Sequence, residues 1–200
     1  MPKHFIKTLA LSSAVFIGAC ASAGAQSNKT MSNQALSIQA HQAVLAALDD
    51  EYKAQSLYKV VMDKHGAVRP FSNIINAEKH HSDMLVDILV QYGKSVPANP
   101  YENGEKTALI APNTLLQACT IGVDAEIENI ALYDEQLLPA VTNYPQITTI
   151  MTQLRDASHD RHLPAFKRCV SNGGKMGSGM GRGHGKGQGQ GMGQGMGRRP

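Results

Sequence analysis

Two kinds of metal-binding side chain, carboxylate and imidazole, recur at positions that a helix would turn to one side. Glu78 and His81 form a Glu-x-x-His sequence, whose two ends lie one helical turn apart. The inner stripes of two other apolar stretches each carry a single glutamate, and that of a fourth has two histidines spaced by three beside it. Buried carboxylates need compensating cations, so these side chains are candidate metal ligands. The candidates are Glu51, Glu78, His81, Glu126, His159 and His162.

The ratio of carboxylate to imidazole favours iron or manganese as the bound metal. Single carboxylates from two helices and Glu-x-x-His from the other two form the ligand set of di-iron and di-manganese bundles. The last segment departs from that set, because His159 stands where a second glutamate is expected. We therefore expect a di-iron site, with Mn, Zn or Cu as alternatives and a single ion or an asymmetric pair left open. The other interpretation is a polar core whose side chains satisfy one another.

The periodicity of the apolar residues predicts four helices and no strand of useful length. Glycines 66 and 93 end the first two, and Asn113 is expected to cap the third. Pro164 should kink the fourth helix near His162, because it cannot donate a hydrogen bond to the Asp160 carbonyl. The predicted helices cover residues 37–64, 70–93, 113 to about 139, and 145–172.

These helices predict an all-α four-helix bundle over residues 37–172. The short links after the first and third helices force two antiparallel hairpins. The link of about 20 residues between the hairpins can reach more than ~30 Å, the length of such a helix, and so permits a long crossover. A loose surface loop in an up-down-up-down bundle is the alternative.

The hairpin geometry sets which residues face each other, because facing residues in an antiparallel pair have a constant index sum. A turn centred on Gly66 places Glu51 opposite His81. A turn at Tyr144 and Pro145 places Glu126 opposite His162, and it also places residue 119 opposite residue 169. We expect a disulfide between Cys119 and Cys169, about 10 Å from the level of the ligands, with two buried free thiols as the alternative.

The start of the chain has the three-part pattern of a signal peptide, with lysines, an apolar stretch and small residues over 1–25. Cleavage after Ala25 by an ordinary signal peptidase would release a soluble form that begins at Gln26. A lipobox ending at Ala19 competes with it, and would make Cys20 a lipidated first residue. Both cleavage sites predict an exported protein, either periplasmic or secreted or anchored to the membrane as a lipoprotein. The oxidising environment outside the cytoplasm supports the expected disulfide.

The other end, residues 173–200, is a glycine- and methionine-rich cationic tail that we expect to be disordered. The net charge of +3 arises from both ends, since residues 26–172 carry 16 acidic and 12 basic side chains. We therefore expect no nucleic-acid partner for the fold, and possible contact of the tail with anionic envelope surfaces. Methionines spaced by four beside His184 are also soft ligands that suit Cu(I).

A set of residues spread over all four predicted helices carries a resemblance to a known family. These residues are Asp49, Asp50, Glu51, Ala54, Tyr58, Asn73, Ile74, Glu78, His81, Gly122, Glu126, Ile130, His162, Leu163, Ala165 and Phe166. They resemble a bacterial family catalogued as domain of unknown function 2202, and the similarity spans roughly residues 41–170. Pro164 departs from the arginine that members often have there. The resemblance implies a ferritin-like bundle with a carboxylate and histidine metal site, but it implies little about the reaction.

Three function classes follow from these features. The first is an exported redox protein with ferroxidase or peroxide-consuming activity, whose partners are metal ions and O2 or peroxide. The second is a non-catalytic carrier or sensor for Cu, Zn or Ni in the cell envelope. The third is a structural bundle. The sequence predicts a monomer or dimer rather than a closed storage shell.

Overall fold

The computed structural model describes residues 35–175, in which every regular element is helical. The predicted signal peptide with Cys20 and the tail from residue 176 onward lie outside these described residues. Within them, no helix combines the length and apolarity needed to cross a membrane. The elements are α1 (Ile38–His65), α2 (Phe71–Gln91), α3 (Leu115–Leu132), a π-turn (Tyr133–Leu137), α4 (Leu138–Ala140), α5 (Pro145–Ala157), a second π-turn (Ser158–His162) and α6 (Leu163–Ser171).

The ends of α1 agree with the prediction from sequence. The Ser37 hydroxyl accepts a hydrogen bond from the Ala40 N–H at 3.1 Å, which satisfies a donor left free at the helix start. At the other end Gly66 has φ = 84°, a backbone conformation that favours glycine, and its N–H donates to the Met62 carbonyl. α1 is therefore bounded by local chemistry at both ends.

The predicted cap of α3 was wrong by one residue. Thr114 is the cap: its hydroxyl accepts from the Gln117 N–H, and the Gln117 side chain accepts from the Thr114 N–H. This reciprocal pair satisfies two groups at once, which a single Asn113 cap could not do. The Asn113 side chain instead accepts a hydrogen bond from Lys64 at 3.0 Å.

Two π-turns interrupt the third helix (α3 to α4) and the fourth helix (α5 to α6). Each is followed by Leu-Pro-Ala, at residues 138–140 and 163–165. In both, the leucine N–H donates to a carbonyl five residues back, on Tyr133 and Ser158. The wider turn accommodates the proline, which has no N–H to donate and whose ring would crowd an α-helical turn. The distortion predicted at Pro164 thus takes the form of a π-turn.

Contacts between helices show two antiparallel hairpins. Glu51 faces His81 across the first, and Asp134 faces Arg155 across the second. The hairpins pack so that the start of α1 meets Tyr144, whose hydroxyl accepts from the Ser37 N–H, while Tyr58 later in α1 meets Glu126. α1 is thus antiparallel to both neighbours, and α2 and the third helix run parallel.

The link from α2 to α3 is a crossover along α1, as the length of the link had suggested. Near the start of the link, the Pro97 carbonyl accepts from the Tyr52 hydroxyl at 3.4 Å. Near its end, the Pro112 carbonyl lies 2.9 Å from the His65 ring nitrogen, at the last residue of α1. The loose surface loop considered as the alternative is therefore wrong.

The core has two apolar layers with a polar layer between them. One apolar layer contains Val44, Leu85 and Ile147 with their neighbours, near the start of α1. The other contains Phe71, Phe166 and the Cys119–Cys169 disulfide, so the predicted pairing is confirmed. A Cβ on Gly122 would lie 2.5 Å from the Phe166 ring, so glycine there allows the close approach of α3 and α6. The two apolar layers hold the polar one at a fixed depth.

Candidate metal centre

The polar layer brings five of the six candidate ligands together. Glu51, Glu78 and His81 form one buried triad, and Glu78, Glu126 and His162 form another. In each triad one ligand atom from every residue lies within 4.8 Å of the others. Glu78 belongs to both triads, so the five residues form one cluster with a shared carboxylate at its centre.

Glu78 places one oxygen beside each histidine. Its Oε2 lies 3.0 Å from the Nδ1 of His81, one turn further along α2. Its Oε1 lies 3.2 Å from the Nδ1 of His162, which the fourth helix supplies. The two rings stack with centroids 5.8 Å apart. This arrangement gives the cluster two similar halves related through Glu78.

An outer carboxylate completes each half. Glu51 Oε2 lies 3.3 Å from His81 Nδ1, and Glu126 Oε2 lies 3.7 Å from His162 Nδ1. The remaining oxygen of each accepts a hydrogen bond from a buried tyrosine: Tyr133 donates to Glu51 at 3.1 Å and Tyr58 to Glu126 at 2.9 Å. Such bonds fix the orientation of a ligand.

The two tyrosines were visible in sequence but their partners were not. Each lies seven residues after one of the outer carboxylates on its own helix. That spacing places both on the inner stripe of their helices, where packing is the usual role of a tyrosine. The structure shows that each donates to the carboxylate of the other helix, since α1 and the third helix are antiparallel neighbours. The pairing of each tyrosine with the carboxylate of the other helix follows only from the relative placement of the two hairpins.

His159 does not join the cluster, contrary to its selection as a sixth candidate ligand. Its side chain is 62% exposed and lies 2.7 Å from Asp160. The cause is the π-turn, which is wider than an α-turn and brings residues spaced by four, rather than three, to the same side. Ser158 consequently occupies the inward position before His162; it is buried and lines the same cavity as the carboxylates.

In the metal-free cluster, burial and the neighbouring charges lower the pKa of Glu78 and raise the pKa values of Glu51 and both histidines. Burial opposes the charge of Glu78, but the His162 and His81 rings beside it lower its pKa to about 2. Burial likewise opposes charge on the histidines, and the carboxylates around them outweigh it, raising the pKa of His81 to about 9 and of His162 to about 10. Burial and the nearby Glu78 raise the pKa of Glu51 well above its ordinary value. In the metal-free site, protons on the two histidines therefore neutralise part of the carboxylate charge that a bound metal would otherwise neutralise.

A small cavity of about 40 Å³ connects the cluster to the surface between α1 and α3. Asp50 lines it and accepts a hydrogen bond from the Asn129 side chain at 2.6 Å. Burial raises the pKa of the Asp50 carboxyl. Glu128 and Lys53 also line the cavity, so its wall carries more acid than base and favours cations over anions. Sequence periodicity did not single out Asp50, because it stands one residue off the stripe.

The donor set fits metal ions better than a self-satisfied polar core. Among the described residues, the buried Nδ1 of His162 makes no hydrogen bond, although Glu78 Oε1 lies 3.2 Å away in an unsuitable direction. Buried polar atoms without a hydrogen-bond partner are rare, and a nitrogen that faces two carboxylates could share a metal ion with them.

No family model matches the chain, and no curated protein and no solved structure matches it.

Proposed function

We propose that the cluster is a dinuclear metal centre that holds two Fe or Mn ions bridged by Glu78. The observation that carries this proposal is the place of Glu78 in both triads. Each ion would have the shared carboxylate, one outer glutamate and one histidine. Three carboxylates leave one positive charge on two divalent ions, which a hydroxide or the nearby Asp50 balances.

The ligand types support iron or manganese over the other metals. Carboxylate oxygens outnumber imidazole nitrogens, and oxygen-rich sites with few histidines suit Fe and Mn. The exclusion of His159 removes the extra imidazole that had made Zn or Cu more plausible. Ser158 stands where a second bridging carboxylate would be expected, so one side of the centre is left for water or a small oxidant.

The helix order supports a ferritin-like assignment. Two antiparallel hairpins joined by a crossover, with inward carboxylates and histidines at one level, form the architecture of ferritin-like carboxylate proteins. The resemblance to the family catalogued as domain of unknown function 2202 agrees with this order. We include membership of that family, and export from the cytoplasm, in the proposal.

The proposed activity is oxidation of ferrous iron or consumption of peroxide. When bound, two Fe(II) ions would supply one electron each to O2, which with two protons becomes hydrogen peroxide. The protein would hold the ions through the five ligands, and the tyrosine hydroxyls would fix the outer carboxylates. A cavity of about 40 Å³ accommodates water, O2 or peroxide and excludes larger molecules.

Stopped-flow absorbance after mixing the protein with Fe(II) in aerated buffer tests this activity. The wild type should oxidise iron faster than a Glu78→Ala variant, which lacks the shared ligand. Glu135→Ala removes an exposed glutamate of the third helix and serves as the matched control. Equal rates in all three proteins would refute the redox proposal. Tight binding without oxidation would instead identify a metal carrier or sensor.

A further inference from the structure

A second cleft opens on the side of the bundle opposite the Asp50 cavity. It lies between the start of α2 and the fourth helix and has a volume of about 490 Å³. Pockets of several hundred Å³ are of the size that holds a small organic molecule. The Asp50 cavity lies between α1 and α3, so the two openings reach the polar layer from opposite faces of the bundle.

The charge of this cleft is uniformly positive. Three of the four arginines in residues 35–175 line it, namely Arg69, Arg161 and Arg168, and no carboxylate does. These three come from the turn before α2, from the second π-turn and from α6. The fourth arginine, Arg155, behaves differently, because it is paired with Asp134 and Asp156.

The three cleft arginines have no acidic partner among the described residues. All three are exposed, and none forms an ion pair there, although Asp160 is adjacent to Arg161 in sequence. The Asp160 carboxylate lies instead against His159, at 2.7 Å. Arginines brought close together without acids repel one another, so an anion bound between them would be favoured.

Backbone and side-chain groups of α2 add to this preference. Pro70, immediately before α2, and Asn73 in its first turn line the cleft. The positive end of the dipole of this 21-residue helix is thus beside the arginines. The Asn73 amide offers a neutral hydrogen-bond donor at the same place.

The floor of the cleft contains a ligand of the proposed metal centre. The His162 ring lines it, while its Nδ1 faces Glu78 and Glu126 on the inner side. Nε2 is therefore the ring nitrogen available to a group in the cleft. Histidine ligands of metals commonly donate this second N–H to an oxygen acceptor.

We propose that this arginine cleft binds a small oxyanion, a carboxylate or a phosphate, which reaches the Nε2 of His162. The planar forks of arginine match both kinds of oxyanion with paired hydrogen bonds. The cleft would thus serve anions while the Asp50 cavity serves cations. The binding requires only the arginines, Asn73 and the helix end, so it is independent of whether the proposed metals are present.

Isothermal titration calorimetry on the full chain, treated with a chelator, tests the cleft. Inorganic phosphate and succinate, titrated separately, distinguish the two sources of oxyanion. We expect one saturable site per chain for at least one of them, with affinity lowered about tenfold or more by Arg161→Gln and by Arg168→Gln. Lys167→Gln removes an exposed charge of α6 beside the cleft residues and should leave the affinity unchanged.

The proposal would be wrong if neither anion showed saturable binding. It would also be wrong if Lys167→Gln weakened binding as much as the two arginine variants do, because that would indicate general charge attraction. The contact with the histidine has its own readout in 15N NMR of the histidine rings. The bound anion should shift the Nε2 signal of His162 and leave that of the exposed His80 in place, and unchanged His162 signals would contradict the contact.

Discussion

Glu78 lies between two histidines and serves both halves of the polar layer. Its two oxygens lie 3.0 and 3.2 Å from the Nδ1 atoms of His81 and His162. The outer carboxylates each contact one histidine, and each is also held by a tyrosine. The glutamates are therefore unequal, although the sequence places all three on apolar stripes. Their inequality leads to distinct effects of substitution.

Glutamine substitutions should separate the roles of two of the glutamates. Burial and Glu78 raise the pKa of Glu51 and so oppose its charge, and removal of that charge relieves part of this cost. Glu51→Gln should therefore lower the free energy of unfolding of the metal-free protein by only about 1 to 2 kcal/mol. Glu78→Gln removes the charge between two protonated histidines and should cost about 3 kcal/mol or more. Urea unfolding with chelator measures both, and equal losses would contradict the assignment.

The two histidines predict how the stability of the metal-free protein depends on pH. Their pKa values, about 9 for His81 and about 10 for His162, exceed the ordinary value of 6.5. Because the folded state binds these protons more tightly, their contribution is complete below pH 6.5 and lost as the pH rises through 9 and 10. Thermal melts with chelator should show Tm falling from pH 7 to 10. A Tm independent of pH over that range would be inconsistent with these shifts.

At the scale of elements, the hairpin turns decide which residues meet. Gly66 and the turn before α5 fix the antiparallel pairs, so the facing of Glu51 with His81 could be predicted from sequence alone. The π-turn could not, because it adds a residue to the fourth helix without disturbing the apolar pattern on either side. Its consequence is that Ser158, and not His159, turns inward.

The arginine cleft shows a second limit of prediction from sequence. Arg69 is separated from Arg161 by more than ninety residues, and neither belongs to an apolar stripe or a motif. Only the packing of α2 beside the fourth helix brings them to one cleft. Contacts within a hairpin follow from index sums, whereas contacts between hairpins depend on how the crossover seats one hairpin against the other.

Deleting His159 should test the π-turn. One residue fewer would return the segment to an α-turn while α5 and α6 keep their phase, because a π-turn adds one residue to an α-helix without rotating the helix on either side. The ring of Pro164 would then crowd the preceding α-helical turn, at a cost of about 3 kcal/mol. The control is His159→Ala, which keeps the length and removes only an exposed side chain, so it should cost under about 0.5 kcal/mol. Urea unfolding compares them, and similar stabilities would refute this role of the π-turn.

For the whole molecule, the polar layer is held between two apolar layers and reached by two openings of opposite charge. The disulfide lies in the apolar layer that contains Phe71 and Phe166. It joins α3, the first segment of the third helix, to α6, the last segment of the fourth. Disulfides persist in oxidising compartments, so the expected export of the protein would preserve this bond and the stability that it adds to the fold.

Loss of the disulfide should destabilise the fold and spare the metal centre. The bond closes a loop with a sequence separation of 50, so its removal should cost about 4 kcal/mol. The Cys119→Ala, Cys169→Ala double variant, unfolded in urea, measures this cost against the wild type. Treatment of the wild type with reductant should give a similar shift of the midpoint. An unchanged midpoint in both would show that the two apolar layers suffice.

The most direct test of the dinuclear centre is metal content by elemental mass spectrometry. The full chain and a form without residues 176–200 are reconstituted with Fe(II) or Mn(II) and freed of loosely bound ions. Both should retain about two ions per chain, Glu135→Ala should match them, and Glu78→Ala should lose both ions because it removes the shared ligand. Retention of no metal, its loss with the tail, or full retention by Glu78→Ala would contradict a centre built on Glu78.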